Sequence, residues 1–275
     1  MKKIIAAVNA LSFSEQELDS YKYIADKARG KLTILFLENL AGESILQPLE
    51  TGYIGYDALF AESAKARQEK ADSNRKKLVR YFQDNCMEVT VRSLSGVPAN
   101  EVLKETRFAD LLLIKNTTSF SVWQDSNPPL FIREMLTDAQ CPVMVLPEAT
   151  HYLREIIFTY NGTFSSMFAI RQFTQLFDGL SGTPVKVVHI VEGDDKKVPN
   201  GRLLKEYLGH HYEEVTYLTR EGRASGELMA LTIHGENSVM TFGAYGRSKA
   251  SRFFHRSDAD CLLRTTNIPL FITHP

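Results

Sequence analysis

The segment near Gly243 has residue types that suit the binding of an anion. Gly243 and Gly246 are three residues apart, and glycines so spaced permit a tight turn in which backbone N–H groups approach a ligand closely. Ser257 follows where the next helix is expected to begin, so that its hydroxyl and the helix N-terminus would face the same ligand. Arg247 and Arg256 add positive charge. Taken alone, this pattern favours ordinary turn chemistry, with a phosphate-binding loop as the alternative.

Patterns that would indicate an enzyme are missing from the sequence. Neither the Gly-x4-Gly-Lys-Ser/Thr string of NTPases nor the Gly-x-Ser-x-Gly elbow of hydrolases occurs. His210 and His211 are adjacent and would point apart on a helix, which disfavours a metal site. The three cysteines are far apart and form no Cys-x-x-Cys pair. We therefore predict no catalytic residues and no metal requirement.

The composition is that of an ordinary globular protein. Of the 275 residues, 44% are hydrophobic and 24% are charged, and the formal net charge is -1. No overall electrostatic field favours nucleic acid or an acidic membrane as a partner. The first apolar stretch ends at Asn9 and is too short for a signal peptide core or a membrane span. We expect a cytoplasmic protein with no nucleic-acid or membrane partner.

Two parts of the chain repeat the same pattern. The runs Ile4–Ala10 and Ile156–Gly162 each consist of apolar residues that end in Asn and a small residue. The runs Cys141–Leu146 and Ile268–Thr273 each place a proline at the start of an apolar segment. Runs that are apolar on both faces are typical of buried parallel strands, and proline is tolerated at a first strand position. The chain is therefore predicted to contain two copies of one module.

The spacing of these landmarks locates an insertion. Asn9 and Asn161 are 152 residues apart, whereas Pro142 and Pro269 are 127 residues apart. The first copy therefore carries about 25 additional residues, which we place at about 38–60. We expect this insertion to fold across the first copy or to cover part of the shared interface, with plain loop packing as the alternative. The predicted domains are residues 1–148 and 149–275.

Within each copy, strands alternate with helices, which predicts right-handed crossovers and an α/β fold with a parallel sheet. We count five strands in each copy. Ligands bind such sheets beyond the carboxyl ends of the strands, where the strand order reverses. Pairing of the last strands, Val143–Leu146 and Leu270–Thr273, within the chain would hide edges that otherwise favour aggregation. A further homodimer is left open.

In these features the chain resembles the universal stress protein family in its tandem two-domain form. The family pattern includes a Gly-x-Pro segment, an Asp-Leu-Ile-type strand, and Gly-x2-Gly-x9-Gly-Ser/Thr before the closing helix. The first copy supplies Gly96-Val97-Pro98 and Ala109–Ile114, and the second supplies Gly243, Gly246 and, after nine residues, Arg256-Ser257. The resemblance covers nearly the whole chain. It implies two tandem domains of the adenine-nucleotide alpha-hydrolase-like, Rossmann-like fold. It also implies that the last strands associate as a pseudo-dimer, which mimics within one chain the dimer that single-domain relatives form.

The resemblance also implies candidate binding residues. Family members that bind ATP use an Asp at the end of the first strand, an apolar second-strand residue against adenine, and the glycine loop for the phosphates. The matching positions of the second copy are Asn161, Ile190, Gly243, Gly246 and Ser257. Asn in place of Asp keeps an acceptor oxygen but loses its charge. Arg256 stands where the third glycine belongs, and its guanidinium would grip phosphate, as would that of Arg247.

The first copy departs further from the family pattern. Asn9 again replaces the Asp, Asn116 and Ser119 replace the two loop glycines, and Pro129-Leu130 replaces Gly-Ser. We interpret this copy as having lost its nucleotide site. The expected function is stress adaptation as a nucleotide-sensing regulator, with ATP or another adenine nucleotide in the second copy. The alternatives are an interaction scaffold of the same fold that binds no nucleotide, and, less favoured, a slow ATPase or adenylating enzyme.

Overall fold

The computed structural model describes residues 1–39, 56–121, 124–148, 150, 152–192, 197–243 and 256–273. The strands of these segments are β1 (Lys2–Asn9), β2 (Gly30–Asn39), β3 (Thr90–Gly96), β4 (Leu111–Lys115), β5 (Val143–Leu146), β6 (Glu155–Thr159), β7 (Val185–Val191), β8 (Val215–Glu221), β9 (Ser238–Gly243) and β10 (Leu270–Thr273). The α-helices are α1 (Glu15–Lys27), α2 (Tyr56–Asp84), α3 (Pro98–Thr106), α4 (Leu130–Asp138), α5 (Phe164–Leu176), α6 (Gly201–Gly209), α7 (Ala224–His234) and α8 (Arg256–Thr265).

All the described strands form one sheet in the order β3-β2-β1-β4-β5-β10-β9-β6-β7-β8. Neighbouring strands within each half are parallel, and β5 and β10 are antiparallel. The second half therefore repeats the strand order of the first half in the opposite direction. The predicted α/β fold class is confirmed, with the two five-stranded halves continuous across the β5–β10 junction.

Helices cover both faces of the sheet. The first face carries α1, α2, α5 and α6, which contribute large buried side chains: Tyr21, Leu78, Phe173 and Leu204. The opposite face carries α3, α4, α7 and α8, which contribute another set: Val102, Ile132, Leu228 and Leu263. Because both faces are covered, a central strand such as β1 is buried along nearly its whole length. This burial is the reason for its continuous apolar run.

The additional residues of the first half extend well into α2. This helix has 29 residues, whereas its counterpart α6 has 9. By the repeat offset, α6 corresponds to the last third of α2, so the earlier turns of α2 belong to the insertion. In these turns, Nη2 of Arg67 donates to the carbonyl of Asn39 at the end of β2 at 2.9 Å. At the start of the shared part, Nδ2 of Asn74 donates to the carbonyl of Ala10, just after β1, at 2.8 Å. Residues 40–55, most of the predicted insertion, lie outside the described residues.

The β5–β10 junction has an approximate two-fold axis. Phe271 lies opposite Met144, and Leu270 and Ile272 lie opposite Val145 and Val143. Met144 and Phe271 are 127 residues apart, the offset of the repeat, so equivalent positions meet at the axis. The junction thus leaves neither fifth strand as an exposed edge.

Candidate functional site

The strand order of the second half reverses between β6 and β9. These two strands are parallel neighbours, and the helices that follow them, α5 and α8, lie on opposite faces of the sheet. A crevice beyond the carboxyl ends of β6 and β9 is the expected ligand position in such a sheet. Asn161 follows β6 and Gly243 ends β9, so these two predicted site residues stand at the reversal point.

Gly243 lies against the first turn of α5. A Cβ at this position would overlap the carbonyl group of Ser165 and approach the amide nitrogen of Ser166. The absence of a side chain at residue 243 therefore allows α5 to pack closely on the end of β9. This packing requirement exists whether or not a phosphate binds nearby.

Asn161 organises the turn between β6 and α5. Its Oδ1 accepts hydrogen bonds from the backbone N of Thr163 at 3.1 Å and from Oγ1 of Thr163 at 2.6 Å. Thr163 in turn caps α5, where its Oγ1 accepts from the backbone N of Ser166 at 3.3 Å. A neutral amide oxygen is sufficient for this role, which accounts locally for Asn at this position.

The segment that follows β7 covers the end of β6. Gly162 has a φ of +80°, and a Cβ there would overlap the ring of Pro199. The hydroxyl of Tyr160 donates to the carbonyl of Pro199 at 3.0 Å. Ile190 is 7% exposed and belongs to the core that includes Leu228 of α7. Its side chain therefore packs mainly into the hydrophobic core.

The remaining predicted site residues surround the start of α8. Gly246 and Arg247 lie outside the described residues. Arg256 and Ser257 form the first turn of α8, so the prediction that Ser257 stands at a helix N-terminus agrees with the bounds of this helix. The first backbone N–H groups of a helix lack partners within the helix and favour negative charge.

In the first half, a carboxylate of the chain itself occupies the corresponding place. The Oδ1 atom of Asp125 accepts from the backbone N of Leu130, the first residue of α4, at 3.3 Å and from the backbone N of Ser126 at 2.7 Å. Its Oδ2 accepts from Oγ of Ser119 at 2.6 Å. Partial burial alone would raise the pKa of Asp125, but the hydrogen bonds from Ser119, Leu130 and Ser126 outweigh it and lower the pKa below its usual value.

Asp125 was not predicted as a functional residue. Two of the first-half positions that differ from the family pattern, Ser119 and Leu130, donate hydrogen bonds to this aspartate. The hydroxyl of Ser119 in particular donates to Asp125 at 2.6 Å. A carboxylate at this helix start would repel a phosphate placed beside it.

A cavity of about 290 Å³ lies at the reversal point of the first half, between the ends of β1 and β4. Its lining includes Asn9, Ser12, Phe13, Glu17, Lys115 and Thr118. Asn9 fixes its rim, because Oδ1 accepts from the backbone N of Leu11 at 2.8 Å and Nδ2 donates to the carbonyl of Ser119 at 2.7 Å.

Glu17 is a buried carboxyl group in the lining of this cavity. The residue is 6% exposed, and its Oε1 accepts from the hydroxyl of Tyr21 at 2.9 Å. Burial raises the pKa of Glu17 from 4.5 to about 6, against the opposing effects of the Tyr21 hydrogen bond and the Lys115 charge. Sequence patterns did not single out Glu17. Its burial could have been predicted from its position, because Glu17 lies on the same face of α1 as the apolar residues Leu18 and Tyr21.

Two other kinds of site are missing from the described part of the chain. Among those residues, no group of three or more His, Cys, Asp or Glu side chains is placed to hold a metal ion. No described helix is both long enough and apolar enough to cross a membrane.

Comparisons with known proteins reveal similarity at the level of three-dimensional structure. No protein-family model and no curated protein sequence matches the chain. A universal stress protein from Archaeoglobus fulgidus DSM 4304 is similar with a TM-score of 0.69 and 16% identity, over 99% of this chain and 96% of that one. A candidate universal stress protein from Pseudomonas aeruginosa UCBPP-PA14 is similar with a TM-score of 0.62 and 13% identity, over 100% and 93% of the two chains.

A third similar structure has no assigned function. It comes from Pseudomonas aeruginosa PAO1 and matches with a TM-score of 0.58 and 13% identity, over 100% of this chain and 92% of that one. All three matches extend over nearly the full length, so they include both halves and the junction between them. At these identities the similarity concerns architecture. This chain has the fold of the universal stress proteins.

Proposed function

We propose that this protein is a cytoplasmic stress-adaptation regulator that binds ATP or another adenine nucleotide in its second half, with the phosphates at the start of α8. Binding, rather than catalysis, is the proposed activity. The nucleotide would change the conformational state that a partner recognises, with hydrolysis slow or absent.

The difference in charge between two equivalent segments of the sequence carries the proposal. The first-half segment 117–129 contains one acidic residue, Asp125, and no Lys or Arg. The second-half segment 244–256 contains no acidic residue and four basic residues: Arg247, Lys249, Arg252 and Arg256. Where the first-half segment supplies its own anion to a helix start, the second-half segment supplies only cations, and the nearest carboxylate, Asp258, lies within the first turn of α8. A ligand phosphate is the anion that would complete such a site.

Calorimetric titration with ATP, ADP and AMP, with and without magnesium, tests the proposal. We expect affinity to rise with the number of phosphates and to fall with salt, because charged hydrogen bonds to phosphate would dominate. The variant Arg256→Gln with Ser257→Ala should weaken ATP binding at least tenfold. Arg264→Gln, which removes one positive charge from the last turn of the same helix, is the matched control and should bind like the wild type.

A second candidate function is an interaction scaffold without nucleotide. Two observations favour it: packing against Ser165 explains Gly243, and the turn to Thr163 explains Asn161. Neither residue therefore requires a ligand. If no nucleotide gives heat with the wild type, the nucleotide proposal fails and the scaffold remains. Heat that the Arg256/Ser257 variant abolishes, without release of phosphate, would exclude the scaffold and the slow enzyme together.

A further inference from the structure

The cavity between β1 and β4 of the first half has a lining with a distinct chemistry. The hydroxyl-bearing residues Ser12, Thr117 and Thr118 line it, together with Phe13. At about 290 Å³ it is close to the lower limit of small-molecule sites and has room for a ligand of about a dozen non-hydrogen atoms. Such a wall suits a compact ligand with several hydroxyl groups.

The charges around the cavity favour a cation. Lys115 contributes a positive charge, but its Nζ donates to Oε1 of Glu148 at 2.7 Å and is offset by that carboxylate. Glu17 then adds an acidic group that is 94% removed from solvent and hydrogen-bonded through Oε1 to Tyr21. An ionised carboxylate in this environment is stabilised strongly by a positively charged hydrogen-bond donor.

An anion is disfavoured at the same place. Asp125 accepts hydrogen bonds from the backbone N of Leu130, at the start of α4, and from the hydroxyl of Ser119, a residue that also lines the cavity. The start of a helix normally favours an anion, but here the carboxylate of Asp125 would repel a phosphate or carboxylate ligand. The ligand class for this cavity differs from that proposed for the second half.

We infer that the cavity of the first half binds a small hydroxylated primary amine, whose ammonium group pairs with the carboxylate of Glu17 while its hydroxyls contact the hydroxyl-lined wall. This site is independent of nucleotide binding in the second half. It would give the chain two ligands of opposite charge, one in each half.

The test uses the full chain and a matched pair of probes. Glucamine (1-amino-1-deoxysorbitol) carries the ammonium, and sorbitol has the same skeleton with a hydroxyl in its place. By calorimetry at pH 7.5, we expect glucamine to bind at least tenfold more tightly than sorbitol, and inorganic phosphate not to compete. Glu17→Gln, which keeps an acceptor for Tyr21, should weaken glucamine at least tenfold. Glu15→Gln removes the same charge from an exposed position of the same helix and should change the affinity less than twofold.

The wild type alone provides a second readout, in case Glu17→Gln does not fold. The pKa of Glu17 is about 6, so at pH 5 only about one Glu17 in ten is ionised, and glucamine affinity should fall about tenfold between pH 7.5 and pH 5. The other groups that face Glu17 are Tyr21, Lys115 and Glu148, and the pH dependence should persist in Glu148→Gln. Equal binding of sorbitol, a pH-independent affinity, or no glucamine binding to the wild type would each overturn the inference. Loss of the pH dependence in Glu148→Gln would show that Glu148, and not Glu17, causes it, and would also overturn the inference.

Discussion

Nη2 of Arg133 lies 2.8 Å from Oδ2 of Asp260 across the junction of the two halves. Arg133 belongs to α4 and Asp260 to α8, and the residues are 127 positions apart, the offset of the repeat. Equivalent positions of the two copies therefore carry opposite charges where they meet near the two-fold axis. In a symmetric dimer of identical halves, the same position would place like charges together. The duplication has thus become asymmetric at its own interface.

The first prediction concerns this ion pair. Arg133→Asp or Asp260→Arg alone should lower the free energy of unfolding by about 2 kcal/mol, because each places two like charges in a site where the native side chains are 21% and 11% exposed. The double exchange should recover at least half of the loss. Urea unfolding of the four proteins measures both effects. If the double exchange is no better than the sum of the single variants, the charges do not interact.

The second prediction concerns Gly243. Gly243→Ala should lower the free energy of unfolding by at least about 2 kcal/mol, because its Cβ would overlap the Ser165 carbonyl at the start of α5. Gly182→Ala is the control, since a Cβ there has nothing within 4 Å. Thermal unfolding without any ligand is the measurement. A Gly243→Ala protein as stable as Gly182→Ala would show that α5 does not require this close approach.

The third prediction concerns the internal carboxylate of the first half. Asp125→Ala should destabilise the protein by about 1 kcal/mol at pH 7, because the start of α4 and Ser119 lose a charged acceptor. The pKa of Asp125 is lowered in the folded state, so its stabilising effect is present above its unfolded pKa of about 4 and is lost as the pH falls through the folded value. Unfolding at pH 7 and pH 3 should therefore reveal a smaller difference between wild type and variant at pH 3. If wild type and variant differ by the same unfolding free energy at both pH values, the charge of Asp125 does not contribute to stability.

The fourth prediction concerns Glu17 and stability. Its pKa is raised from 4.5 to about 6, so the carboxyl favours folding when protonated, and that contribution is lost as the pH rises through 6. Relative to Glu17→Gln, the wild type should lose about 2 kcal/mol of stability between pH 4.5 and pH 7.5. Urea unfolding of both proteins at these two pH values measures this change in relative stability. If the difference in unfolding free energy between the two proteins is the same at both pH values, the pKa of Glu17 is not raised by burial.

Much of the fold was predictable because its signals are local and occur twice. The apolar runs at Ile4 and Ile156, and the prolines at Pro142 and Pro269, mark strand starts and ends without any knowledge of tertiary contacts. Two copies in the same order also predicted the repeated five-stranded sheet. Pairing of the last strands was an expectation of the family resemblance, and it also covers sheet edges.

The chemistry of the candidate site was less accessible from the sequence. Asp125 belongs to no motif, and its role depends on a loop that folds back onto the backbone N of Leu130. Gly243 matched a phosphate-loop pattern, yet its close neighbour Ser165 comes from a helix nearly eighty residues earlier in the chain. Glu17 looks like one more acidic residue of a helix first turn until α1 is packed on the sheet. Each of these properties arises from tertiary contacts that periodicity does not encode.

The central claim is that a ligand phosphate binds in the second half where the first half has its own carboxylate. The titration of ATP into the wild type and into Arg252→Asp tests this claim most directly. Arg252 is 127 residues after Asp125, so this substitution gives the second half the acidic residue that the first half has. ATP should bind the wild type, and Arg252→Asp should bind it at least a hundredfold more weakly while unfolding at a similar urea concentration. Equal ATP affinity in the two proteins, or no ATP binding to the wild type, would contradict a phosphate site at the start of α8.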